Sequence, residues 1–65
     1  MRVKVNGEEY ETQAVTVLDL IRERGLVPER VAVVRNDQIV PAAARAQTRL
    51  AEGDDLELLA FAAGG

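Results

Sequence analysis

Few groups in this 65-residue chain could do chemistry. It has no cysteine and no histidine, so disulfides, thiolate or imidazole metal ligands, nucleophilic cysteine chemistry and histidine acid–base catalysis are all excluded. Asp19 and Glu23 stand four residues apart, a spacing that puts two carboxylates on one helix face like a paired acid site. Nothing in the surrounding sequence would perturb either, and they read as a solvated face. The phenol of Tyr10 reads as packing. What remains is the stretch Ala62-Ala63-Gly64-Gly65, which follows directly on the apolar run Leu56 to Phe61. Two residues without a β-carbon give a thin, extended strand that can enter a narrow channel and present a bare carboxylate to another protein's active site.

Whatever positions that tail must be small. A chain of this length forms one domain at most and buries only about 60% of the surface exposed by its unfolded form. Eleven acidic and eight basic residues give a net charge of −3. The arginines are scattered from Arg2 to Arg49, and the only aromatics are Tyr10 and Phe61, a pattern that argues against a nucleic-acid surface. No apolar run approaches the roughly 18 residues of a membrane span, and Met1-Arg2-Val3-Lys4 lacks the apolar stretch of a signal peptide. The absence of disulfides in so small a domain fits a reducing compartment, and the expected location is the cytoplasm.

The elements follow from periodicity and turn chemistry. Met1, Val3 and Val5 alternate with Arg2 and Lys4, and Asn6-Gly7 is a hairpin signal, so a return strand over Glu8 to Thr12 should place Val5 opposite Glu8 and Val3 opposite Tyr10. Thr16 caps a helix running to Arg24, with Asp19 in its first turn and Gly25 as its left-handed stop. Val31 to Val34 reads as a buried strand, Asn36-Asp37 as a turn, and Gln38-Ile39-Val40 as a short edge piece closed by Pro41. Ala42 to Ala46 predicts one or two helical turns. Leu50 should anchor the following loop, and Gly53-Asp54 turns the chain into a last strand, Asp55 to Phe61. On that strand Leu56, Leu58 and Ala60 share one face, and Glu57, Leu59 and Phe61 the other. The expected class is α+β: a mixed four- to five-stranded sheet with one main helix packed on one face and a short second helix. The last strand should be central and parallel to the first. Residues 1–61 then form the domain and 62–65 a flexible tail that the domain projects outward.

Asn6-Gly7, then Asn36 followed by Ile39-Val40-Pro41, then Gly53-Asp54, and finally Ala63-Gly64-Gly65 stand in an order that resembles the sulfur carrier proteins of bacterial thiamine biosynthesis, which have the ubiquitin-like β-grasp fold. The resemblance covers essentially the whole chain. The small subunit of molybdopterin synthase is typically longer and commonly carries prolines shortly before its diglycine, where this chain has Ala60-Phe61-Ala62.

The resemblance implies a carrier rather than an enzyme. In that family an E1-like adenylyltransferase uses ATP and Mg to convert the terminal carboxylate, here that of Gly65, into an acyl adenylate. A sulfur donor, a cysteine desulfurase or rhodanese-like protein, supplies the sulfur that replaces AMP, and a thiazole synthase accepts it from the resulting thiocarboxylate. A terminal carboxylate, with a pKa of roughly 3.3–3.7, is ionised near neutrality and is a poor electrophile, so activation by a partner is a chemical necessity. The chain itself would bind no cofactor. Gly64, Ala63 and Ala62 would then be small in order to thread the partner's channel. Phe61, Leu59 and Val34 would form an outward-facing apolar patch for partner docking. Other acceptors remain open at this stage: a thiolated tRNA base, a molybdenum-cofactor precursor or cysteine synthesis. So does a ubiquitin-like modifier joined to lysines through Gly65, or a purely noncovalent binding module.

Overall fold

Two turns of left-handed backbone lay down the sheet. In the computed structural model, which describes residues 1–61, Asn6 (φ 52°) and Gly7 (φ 84°) join β1 (Arg2–Val5) to β2 (Glu8–Glu11). Both central residues at positive φ match the right-handed twist of a two-residue hairpin. The antiparallel register pairs Val5 with Glu8 and Val3 with Tyr10, as the sequence predicts. Asn36 (φ 49°) and Asp37 (φ 69°) do the same between β3 (Val31–Arg35) and β4 (Gln38–Ile39). The expected tail, residues 62–65, lies outside the described residues.

Between the hairpins runs α1 (Val17–Glu23). Its amino end is closed by the chain itself. Thr16 accepts the Asp19 amide and Asp19 accepts the Thr16 amide, a capping box, while the Val17 and Leu18 amides donate to the carbonyls of Thr48 (2.9 Å) and Arg45 (3.2 Å). At the other end Gly25 (φ 74°) donates to Arg22 and Leu26 donates to Ile21, the paired bonds of a Schellman stop that need a residue at positive φ. The helix is seven residues long, two turns, and ends one residue short of the expected Arg24, which is its C-cap. It holds because Val17, Leu20 and Ile21 are fully buried; an isolated helix this short is unstable in water. The short second helix is a 3₁₀ turn at Ala42–Ala44, and another, not anticipated, spans Pro28–Arg30.

The sheet has five strands in the order β2-β1-β5-β3-β4, with β5 (Asp55–Ala60) at its centre, parallel to β1 and antiparallel to β3. Val3, Val5, Val31, Val33, Leu56 and Leu58 point from the sheet toward Val17, Leu20 and Ile21 of the helix, and Leu50 closes the loop side. Each fully buried aliphatic side chain contributes about 1.5–3 kcal/mol. The ubiquitin-like β-grasp architecture, with one helical layer on a mixed sheet, is the one expected. No helix among the described residues is long and apolar enough to cross a membrane.

Candidate functional site

β5 is the element that leads to Ala62, so the site is built from what holds it. Against β3 it pairs over its whole length, from Arg35 opposite Leu56 to Val31 opposite Ala60. The Phe61 amide adds a last bond to the Arg30 carbonyl at 2.7 Å. Against β1 the pairing covers only Lys4 with Asp55 and Val5 with Leu56.

Both turn asparagines reach into β5. The Asn6 amide donates to the Leu56 carbonyl at 2.8 Å; its side chain accepts the Leu58 amide at 2.9 Å and donates to the Leu58 carbonyl at 3.3 Å. In a continuing parallel ladder a main-chain carbonyl would take the Leu58 amide, so the side chain substitutes for backbone as the chain turns away. On the other edge the Asn36 amide donates to the Asp55 carbonyl (2.8 Å) and its side-chain oxygen accepts the Asp55 amide (2.9 Å).

A buried carboxylate anchors the start of the same strand. Asp54 accepts from the Arg35 guanidinium (2.9 Å), the Asn36 side-chain amide (3.0 Å) and the Ala51 backbone amide (2.8 Å). Burial pushes its carboxyl upward, but the Ala51, Asn36 and Arg35 donors outweigh burial and hold it below the usual aspartate value.

The face of the sheet away from the helix carries the exposed apolar residues. Leu59 is 53% exposed and Phe61 61%. Val34 is half-buried on the same face, diagonal to Leu59, whose direct partner is Ala32. The three expected docking residues thus lie on one face of the sheet, with Phe61 at the end of the ladder and Val34 opposite Glu57 further in. Ile39, opposite Val34 on β4 and 79% exposed, extends that surface to the sheet edge. Strand alternation around buried Val40 could have placed it there. The other expected site residues, Ala62, Ala63, Gly64 and Gly65, lie outside the described residues.

Glu23 departs from expectation. It does not stand free in solvent: its carboxylate accepts from the Tyr10 hydroxyl (2.7 Å), the Thr12 hydroxyl (2.8 Å) and the Gln13 amide (3.1 Å). The Tyr10 bond, with the others, lowers its carboxyl below the ordinary value, and the same bond raises the Tyr10 phenol. This ties the end of α1 to the exit of β2. Asp19 takes no part, being used in the helix cap, so no paired acid site exists on the helix. Arg45 was likewise given no role by the sequence. It is only 7% exposed and donates to the carbonyls of Pro28 and Val31, bracing the loop before β3. Among the described residues no cluster of potential ligands could hold a metal ion.

Comparison with known proteins bears on this arrangement. The ThiS family model matches residues 3–65. A thiazole synthase of Paramagnetospirillum magneticum is 44% identical over 66 residues, covering all of this chain and 20% of that protein. A thiazole synthase of Magnetococcus marinus is 36% identical with the same coverage, so the chain spans about a fifth of the length of the curated relatives it matches. Among solved structures, the crystal structure of a thiamine biosynthesis protein (ThiS) from Geobacter metallireducens superposes with a TM-score of 0.83 at 28% identity, each chain fully covered. The solution structure of a thiamine biosynthesis protein from the same organism gives 0.82 at 28% identity, covering this chain fully and 88% of that one.

Proposed function

The chain belongs to the ThiS family, a family of small carrier proteins rather than enzymes, and we propose that it carries sulfur for thiazole formation in thiamine biosynthesis. The observation that carries this reading is the family match over residues 3–65 on a fold whose central strand ends at Ala60, just before the diglycine segment in sequence. The two thiazole synthases that contain a segment like this chain support thiazole synthesis as the destination over tRNA thiolation, molybdopterin or cysteine synthesis.

The reactive group is the carboxylate of Gly65. One of its oxygens attacks the α-phosphorus of MgATP in an E1-like adenylyltransferase, pyrophosphate leaves, and the acyl adenylate has AMP as a good leaving group. The outer sulfur of a persulfide on a cysteine desulfurase or rhodanese-like protein attacks the acyl carbon and AMP leaves. A thiol of the partner then cleaves the resulting acyl disulfide, supplying the two electrons and ending as a protein disulfide, and the released thiocarboxylate gives its sulfur to a thiazole synthase. Gly64, Ala63 and Ala62 thread the partner's channel. Phe61, Leu59 and Val34, joined by Ile39, are the docking surface. The steps belong to the cytoplasm.

Mass spectrometry of the intact protein from its own cells tests the reading. A fraction heavier by about 16 Da, sulfur for oxygen at the carboxyl group, is expected to collapse to the parent mass on hydrolysis. A chain that continues past Gly65, or one found only as lysine conjugates, overturns it.

A further inference from the structure

β5 outruns its neighbour β1, and this leaves backbone groups without partners beside the tail. Residues 55 and 61 bond to β3's side, through Asn36 to Asp55 and Phe61 to Arg30. Antiparallel alternation therefore turns the amides and carbonyls of Asp55, Glu57, Leu59 and Phe61 toward β3, and those of Leu56, Leu58 and Ala60 toward β1. On that second side Leu56 is taken by the Asn6 amide and Leu58 by the Asn6 side chain. There β1 has already turned away through Asn6 and Gly7. No group among the described residues pairs with the Ala60 amide or carbonyl, and Ala60 is exposed although its strand is central.

The centre of the sheet thus becomes an edge one residue before Phe61. The Asn6 side chain closes the internal ladder at Leu58, so the vacant position begins at Ala60. Unpaired strand groups of this kind accept an added strand through main-chain bonds. We propose that the Ala60 edge of β5 is a docking slot for an extended segment of the adenylating enzyme, which pairs with it as an added strand. The occupant follows from position: the slot adjoins the residues that must enter that enzyme extended, and a strand laid along β5 would hold the departing chain straight. Phe61, Leu59 and Ile39, on the sheet's open face, would contact the body of the same enzyme, while the slot fixes register. The inference rests on the adenylation step of the proposed function.

Ala60→Pro tests it with little cost to the fold. The Ala60 amide is not used by the sheet, and proline is tolerated where the missing N–H faces an open edge. Folding of the variant is checked by amide spectra. Ala60→Ser, which keeps the amide, is the control. In an ATP–pyrophosphate exchange assay with the E1-like adenylyltransferase, Ala60→Pro should raise the KM for the carrier about five- to tenfold, the loss of one interfacial hydrogen bond, with Ala60→Ser near wild type. Hydrogen exchange on the unaltered protein gives an independent readout: the Ala60 amide should exchange fast when free, far faster than Leu58, and be protected in the complex. A wild-type KM for folded Ala60→Pro, or an Ala60 amide that stays unprotected in the complex, overturns the slot and leaves the carrier reading standing. Failure of the wild-type chain to support exchange removes both.

Discussion

Asn6 and Leu58, fifty-two residues apart, are joined by two hydrogen bonds through a single side-chain amide. The first hairpin therefore fixes the strand that leads to the tail. Asn6→Gly keeps a residue suited to φ 52° while removing both bonds. It should lower unfolding free energy by about 1–2 kcal/mol and speed amide exchange at Leu58 more than at Leu56. Unchanged exchange at Leu58 would show that the clamp does not hold β5.

The open sheet face separates binding from stability. Phe61→Ala and Ile39→Ala remove exposed rings and branches, so unfolding free energy should move by less than about 0.5 kcal/mol. Affinity for the adenylyltransferase, measured by titration calorimetry, should fall at least about tenfold for Phe61→Ala, as expected of an aromatic anchor. Equal affinity for the variant would take Phe61 out of the docking surface.

Gly64→Ala adds one β-carbon where a thin strand must pass. The variant is expected to melt with the parent protein, because residue 64 lies beyond β5, yet to be adenylated at least about tenfold more slowly. Normal pyrophosphate exchange would count against a narrow channel.

Acid stability should depend on Asp54. Its carboxyl binds a proton less readily folded than unfolded, so its contribution is complete above the unfolded value of about 3.9 and is lost as pH falls below that toward the depressed folded value. Asp54→Asn should cost about 1–3 kcal/mol at neutral pH and flatten the decline in stability as pH falls below about 3.9. Parallel stability curves for variant and parent would assign acid sensitivity elsewhere.

Local signals made most of the fold legible. Asn6-Gly7 and Asn36-Asp37 specify their turns, and Thr16, Asp19 and Gly25 mark the helix through cap chemistry confined to a few residues. The central, parallel place of the last strand and the open apolar face follow from alternation along that strand, while the β-grasp fold is legible only through the family resemblance. What stayed hidden were long-range polar contacts, for which spacing carries no signature. Glu23 looks like a surface residue on its helix, and only the arrival of Tyr10, Thr12 and Gln13 from the hairpin gives it partners. Arg45 sits in an alanine tract whose pattern predicts a short helix but assigns its side chain no partner, yet it reaches the carbonyls of Pro28 and Val31. The Asn6 clamp has no sequence signature either, because an Asn-Gly turn accounts for the residue without its second task at Leu58.

The parallel pairing of β1 with β5 has a consequence for synthesis. The sheet's central strand is made after its other four strands, and until it arrives they lack the partner that completes the core. Because contacts of such sequence separation must wait for the whole chain, a shortened polypeptide without β5 has no means of burying Val3, Val5, Val31 and Val33. Any molecule able to offer the folded docking face is therefore one whose translation has passed β5.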